Sequence, residues 1–294
     1  MNTARHPLPV LLLVSALAAT SCKKDGGVPA YLQLQPITMT TVQGEGTDRH
    51  RITEVWAYAN DQLLGVWEAE GRIPVLAEGP TDIKMIAGVR RNGVLNDRIQ
   101  YPFLATYGTE ADLGPELTTP VAPVFSYFPD LVFWIEDFDG NGFQFEREAD
   151  SDTLLYVWDT IQNPVSEIYE GRASGAFFVD AQRPYFSYVY DGDAFDVDVS
   201  DPCWMEVHYR SDMRFLVGVY VTSSGGPVER IPYLYVSPTK REDGSMPWNK
   251  IYIDLQSAWP FTGVTDRKFY IEASLPSGQS TGTVYLDNIK VIHR

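Results

Sequence analysis

An all-β protein with two sandwich domains is predicted by three features of the sequence. No long stretch carries apolar residues at the i, i+3, i+4, i+7 spacing of an amphipathic helix. Short alternating runs rich in Val, Ile, Tyr and Phe recur instead, at 52–59, 83–89, 176–180, 203–209, 215–221, 251–255, 269–273 and 283–292. Gly, Pro, Asn or Asp separates them. Pro115, Pro120, Pro123 and Pro129 crowd one segment and disfavour a central strand there. Residues 116–131 are therefore expected to link a small β-sandwich domain, 31–115, to a larger one, 132–294.

The chain opens with Arg5, an apolar run from Leu8 to Ala19, and small residues up to Cys22. The run is too short to span a bilayer as a stable helix, so 1–21 read as a signal peptide. Ala18-Ala19-Thr20-Ser21-Cys22 resembles a bacterial lipobox, with Ala19 where Leu is commoner. That resemblance implies acylation of Cys22 and a membrane partner reached through lipid. Each buried CH₂ contributes about 0.8 kcal/mol, so several chains anchor firmly. Residues 22–30 then comprise the lipidated Cys and a flexible tether. Its charged start, Lys23-Lys24-Asp25, resembles the surface-export tags of Bacteroidetes lipoproteins. The expected place is the outer membrane, on its periplasmic or cell-surface face.

In the small domain, Val55-Trp56-Ala57-Tyr58 reads as a strand, Asn60-Asp61 as a turn and Leu63-Leu64-Gly65-Val66 as the strand pairing back. Ile73-Pro74-Val75-Leu76 leads through Glu78-Gly79 to 81–86, and Asn92-Gly93 favours the positive φ of a tight turn. Over 50–93 this pattern resembles PEGA-type and carboxypeptidase-regulatory-type modules, which implies an Ig-like β-sandwich used as a spacer or interaction platform. The large domain opens with Phe133-Trp134-Ile135-Glu136-Asp137-Phe138-Asp139 and closes with Gly282-Thr283-Val284-Tyr285-Leu286-Asp287-Asn288-Ile289-Lys290-Val291. The closing strand, with 248–255, resembles galactose-binding-like jelly rolls, including many carbohydrate-binding modules. The resemblance implies a C-terminal β jelly roll that binds glycan, with first and last strands adjacent and often holding structural calcium.

A formal net charge of −16 argues against nucleic acid, whose phosphates need clustered Lys and Arg. Two cysteines make no disulfide scaffold, and four scattered histidines have no zinc-type spacing. Asp137, Asp139, Asn141 and Glu148 fit the spacing of a calcium loop, and Asp287 would complete the site if the terminal strands adjoin. The other reading of this segment is a solvated acidic turn. Gly278-Gln279-Ser280-Thr281-Gly282 matches a nucleophile-elbow pattern, but a strand follows where a helix is required. Pro276-Ser277-Gly278 reads as a hairpin turn. Among the acids 191–198, Asp196 and Asp198 fall on one face, expected to be solvated. His208 is expected at the surface, and Trp56, Trp134 and Trp204 in cores.

Exposed rings suit sugar, because pyranose C–H faces are apolar and ring faces electron-rich. Trp259, Tyr185, Tyr188 and Tyr190 are the expected ligand-binding rings. No catalytic set assembles, so the protein is expected not to be an enzyme but an envelope lipoprotein binding a glycan or another surface ligand, such as an envelope protein. A fimbrillin-like structural or adhesive subunit, polymerising by strand donation, is the alternative; a glycan-active hydrolase ranks below both.

Overall fold

A computed structural model describes residues 27–164, 167–198, 200–223, 226–259 and 263–294. Cys22, the expected signal peptide and the start of the expected tether lie outside the described residues. Among the described residues the elements are strands, with a 3₁₀ turn at Gln256–Ala258.

The first unit is a β-sandwich. On one side Glu54–Ala59 lies between Gln62–Glu68 and the long strand Gly79–Arg90, which also pairs with Arg98–Gln100 and Tyr107–Leu113. On the other side Ala30–Leu34 is flanked by Arg72–Val75 and Thr118–Val121. Alternation puts Leu32, Leu34, Val55, Ala57, Ile83, Met85 and Val121 into one core. Trp56 faces the other way, half-buried, contrary to its expected core position. It covers Gly88, where any β-carbon would stand 2.3 Å from the indole.

Residues 116–131 are not a linker. Thr118–Val121 and Val124–Ser126 pair in parallel with Ala30–Leu34 and Thr38–Thr40. Proline lacks a donor but keeps its carbonyl, and here the neighbouring strands donate: Tyr31 N to Leu117 O at 2.8 Å, Gln35 N to Val121 O at 2.8 Å and Thr38 N to Pro123 O at 3.0 Å. Thr118–Val121 is an edge strand, where Pro120 is tolerated.

The second unit is a jelly-roll sandwich. Its larger sheet runs Tyr156–Asp159, Ala173–Asp180, Thr281–His293, Trp204–Ser211, Asn249–Asp254, with Val132–Glu136 also paired to Thr281–His293. Its smaller sheet runs Phe145–Arg147, Tyr185–Tyr190, Val264–Ser274, Phe215–Ser223, Val228–Val236. Phe177, Phe186, Val207, Val217, Phe269 and Leu286 lie in the core between them, and the Phe177 and Phe186 rings stack at 3.7 Å. Cys203 is buried, and burial pushes its thiol up, as suits an inert core residue. Pro276–Gln279 is not a hairpin turn: it carries the chain from one sheet to the other.

The two units share a packed seam. Trp204, Tyr252 and Ile292 point from the outer face of the larger sheet into the first unit's core, where Tyr101 packs edge-on to Trp204 and Tyr252 at 5.5 and 5.0 Å. Asn92 and Gly93 have φ of 56° and 70°, and this turn docks on the second unit. Asn92 N donates to Tyr252 O at 2.8 Å, and Asn92 Oδ1 accepts from Asp254 N at 2.9 Å.

Candidate functional site

The outer face of the larger sheet carries the structure's most concentrated chemistry, and its character changes along its length. Next to the seam it is charged and buried. Glu206 Oε1 accepts from Tyr101 and Tyr127 hydroxyls at 2.7 and 2.9 Å, and Lys250 Nζ lies 2.6 Å from Oε2. Lys290 Nζ donates to Thr47 O at 2.9 Å, and Lys250 Nζ to Arg49 O at 2.8 Å, tying the 47–51 segment across the sheet. Burial alone would raise the Glu206 carboxyl; the ammoniums of Lys250 and Lys290 outweigh it and bring it down to about 2. Burial, only partly offset by Glu206, pulls the Lys290 ammonium down to about 8.

Two residues further along the strand, His208 is buried, not exposed as its alternation suggested. Its outward direction is right, but the first unit and Tyr169 cover it, with the Tyr169 ring stacked at 4.2 Å. Both of its ring nitrogens are without a hydrogen-bond partner. Burial, reinforced by Lys250, Lys290 and Arg49, holds the imidazole well below its ordinary range.

Beyond His208 the face opens and becomes aromatic. Trp248 lies 5.1 Å from Tyr169 and 6.4 Å from Tyr285, Tyr285 lies 6.1 Å from Trp158, and Trp158 lies 5.0 Å from Phe178, which Tyr156 follows at 6.1 Å. All but Tyr285 are half-exposed. The rings meet edge-on or tilted, as their quadrupoles favour. Trp158 Nε1 donates to Glu167 at 2.7 Å, and Arg210 lies 4.9 Å over Tyr285. A mainly apolar hollow of about 300 Å³ lies at Trp158, Tyr156 and Phe178, and a polar one of about 400 Å³ lies at Tyr169 and Trp248.

The rings expected from sequence to meet ligand are elsewhere. Trp259, Tyr188 and Tyr190 are buried in the jelly-roll core, Tyr190 stacking on Phe195 at 4.8 Å. Period-two alternation places Tyr188 and Tyr190 on the face of Phe186, which is the inner face. Tyr185 alone points outward, on the smaller sheet, where its hydroxyl donates to Glu272 at 3.0 Å. Trp134 is partly buried against the jelly-roll core, and Trp204 is core, but of the seam.

The five residues of the expected calcium site do not converge. Asp139 Oδ1 accepts from Arg172 N and Ala173 N at 2.6 and 2.9 Å, Asp137 Oδ1 accepts from Asp139 N at 3.1 Å, and Asn141 is exposed. Glu148 belongs to the smaller sheet, bonded by Ser187, Tyr220 and, at 3.2 Å, Arg230. Asp287 is buried 2.6 Å from Ser174 Oγ, and burial, with the Asp139 charge adding, pushes its carboxyl up to about 8. Glu136 closes the loop instead, accepting from Phe138 N at 2.8 Å and Gln144 N at 3.0 Å. Among the described residues, no group of three or more His, Cys, Asp or Glu is arranged to hold a metal ion. Asp196 and Asp198 are exposed, in an irregular segment where Phe195 and Val197 face inward.

No protein-family model and no curated protein matches the chain. Among solved structures, it is similar to a mutant of CBM29-2, a family 29 carbohydrate binding module, at 10% identity and TM-score 0.33, over 55% of this chain and 91% of that one. It is also similar to the C-terminal family 22 carbohydrate binding module of Clostridium thermocellum Xyn10B, at 14% identity and TM-score 0.31, over 54% of this chain and 91% of that one.

Proposed function

We propose that this chain is a non-catalytic, glycan-binding lipoprotein of the outer membrane, held by acyl chains on Cys22 and presenting the open half of its larger jelly-roll sheet to sugar. The observation that carries the reading is the aromatic row Tyr156–Phe178–Trp158–Tyr285–Trp248–Tyr169 on one sheet face. Rings inside a core need no opening, whereas these form a half-exposed strip with hollows at both ends. Sugar C–H faces would stack on the rings, while Arg210, Asn249 and Thr239 supply polar partners at the rim. The first sandwich acts as a spacer, in keeping with its resemblance to PEGA-type modules, and lifts the face off the membrane.

A hydrolase would need an acid–base pair of carboxyls in a cleft. Glu148 and Glu272 face the outer surface of the smaller sheet and share Arg230, at 3.2 and 2.5 Å, which holds both as ion-pair partners. Polymerisation by strand donation is disfavoured because Thr281–His293 lies in the middle of its sheet, paired on both sides. A glycan array tests the reading, with Trp158→Ala as control. The parent is expected to bind a subset of oligosaccharides, and loss of one stacking ring to weaken binding roughly 30-fold, about 2 kcal/mol. Uniform absence of binding by the parent would overturn it.

A further inference from the structure

The hollow of about 400 Å³ between Tyr169 and Trp248 is unlike the rest of this acidic molecule. The chain has 39 Asp and Glu against 23 Lys and Arg, yet among the described residues no carboxylate lines this hollow. Arg51, Arg241, Lys250, His50 and His208 do. A second hollow of about 230 Å³ adjoins it through Arg51, Asn249 and Lys250 and adds Arg90, again without a carboxylate. Among the described residues, neither Arg51 nor Arg241 forms an ion pair. Asp243, two residues on and within reach of the Arg241 charge, accepts from Ser245 N and Oγ at 2.8 and 2.6 Å. Behind the wall, Glu206 faces the two ammoniums Lys250 and Lys290, with Glu45 and Glu170 further from Lys290.

A second observation points to an occupant. His208 is 1% exposed and lines the hollow, and neither ring nitrogen has a partner. Buried polar atoms are nearly always satisfied, and an orphaned imidazole costs about 1–3 kcal/mol. A ligand oxygen would satisfy one nitrogen by entering from the hollow and moving aside the side chains that cover the ring.

We propose that this hollow receives the carboxylate or sulfate ester of an acidic oligosaccharide whose neighbouring rings lie on the Trp248 end of the aromatic row. The inference rests on the glycan reading above and narrows it to acidic sugars. The two arginines offer planar forks that match the geometry of such oxyanions, and both are exposed, so they reach a ligand without unfolding anything.

Calorimetric titration of the whole protein tests it with four probes: an oligogalacturonate, its carboxyl-reduced neutral form, a sulfated galactan oligosaccharide and its desulfated form. At low salt, at least one charged probe is expected to bind about tenfold or more tightly than its neutral form, and the gap to shrink as salt shortens the screening length. The R51Q/R241Q variant, its fold checked by circular dichroism, is expected to lose that preference and keep the neutral affinity. Trp248→Ala is expected to weaken charged and neutral forms alike. Equal affinity for charged and neutral forms in the parent, or a preference that survives R51Q/R241Q, overturns the inference and leaves the glycan face standing. No binding of any probe by the parent overturns both.

Discussion

Glu206→Gln is nearly isosteric and removes one charge from the seam, leaving two buried ammoniums, Lys250 and Lys290, without the carboxylate buried between them. Glu206, Lys250 and Lys290 are 1%, 5% and 0% exposed, so water screens little of the loss. Breaking one side of a buried pair costs about 3–5 kcal/mol. The carboxyl itself supplies a second route to the magnitude. Its pKa falls from an ordinary 4.5 to about 2, which at about 1.4 kcal/mol per pH unit corresponds to about 3 kcal/mol. The sign follows from a depressed carboxyl: its stabilisation is fully present above pH 4.5 and is lost as pH falls towards 2. The variant's deficit should therefore be largest near pH 7 and shrink in acid. Urea unfolding followed by tryptophan fluorescence at pH 7, 5 and 3 measures it, and Trp204 in the seam reports separation of the units. Adding Lys250→Met to Glu206→Gln removes one uncompensated ammonium and should restore at least half the loss. A deficit under about 1 kcal/mol at pH 7, or one as large at pH 3 as at pH 7, would refute the reasoning.

Further outcomes follow from single sites. Asp287, raised to about 8, holds a proton in the native state that the unfolded chain releases above about 3.8. Native stability should accordingly fall by about 1.4 kcal/mol per pH unit between those values. Asp287→Asn should flatten that limb and be more stable than the parent at pH 8, as denaturant midpoints would show; a less stable variant there contradicts the assignment. Gly175→Ala places a β-carbon 2.4 Å from the buried Phe138 ring, so thermal unfolding should show a loss of about 1–3 kcal/mol. Cys22→Ser should move the protein from the detergent phase to the aqueous phase in a Triton X-114 partition of cells; equal partition removes the lipid anchor.

How much of this was legible in the sequence depends on the range over which each feature is determined. Alternation within a strand is local, so the all-β class and the inward sets, such as Met205, Val207 and Tyr209, could be read directly. Alternation also sends Trp204, Glu206 and His208 to the opposite face, correctly. It cannot say that another sandwich lies on that face, because the contacts that bury it come from Tyr101, Tyr127 and the 47–51 segment, more than 75 residues away. The prolines of 116–131 misled for a related reason: a missing donor disqualifies a segment from a central strand, but not from accepting bonds along a sheet edge. Local spacing alone likewise suggested the calcium loop, whereas Glu148 pairs with Arg230 on the other sheet.

The aromatic row was hidden by separation. Trp158, Phe178 and Tyr285 are spread over three strands that become neighbours only when Thr281–His293 inserts beside Ala173–Asp180. Each alone is an unremarkable strand aromatic; only their shared outward parity distinguishes them from the core rings Phe177, Tyr188 and Tyr190. The same register that aligns them places His208 opposite Asp287 and Tyr209 opposite Leu286, one step from where the first sandwich ends. A single sheet face thus passes from dry and charged, at Glu206 and Lys250, to open and aromatic, at Trp248, within a few residues. The basic hollow lies at that transition because strand Trp204–Ser211 alternates polar residues along a face that is only half covered. A first sandwich extending further would bury the rings, and a shorter one would expose the Glu206 cluster to water and weaken it. The extent of that cover is therefore what joins the stability of the seam to the binding chemistry beside it.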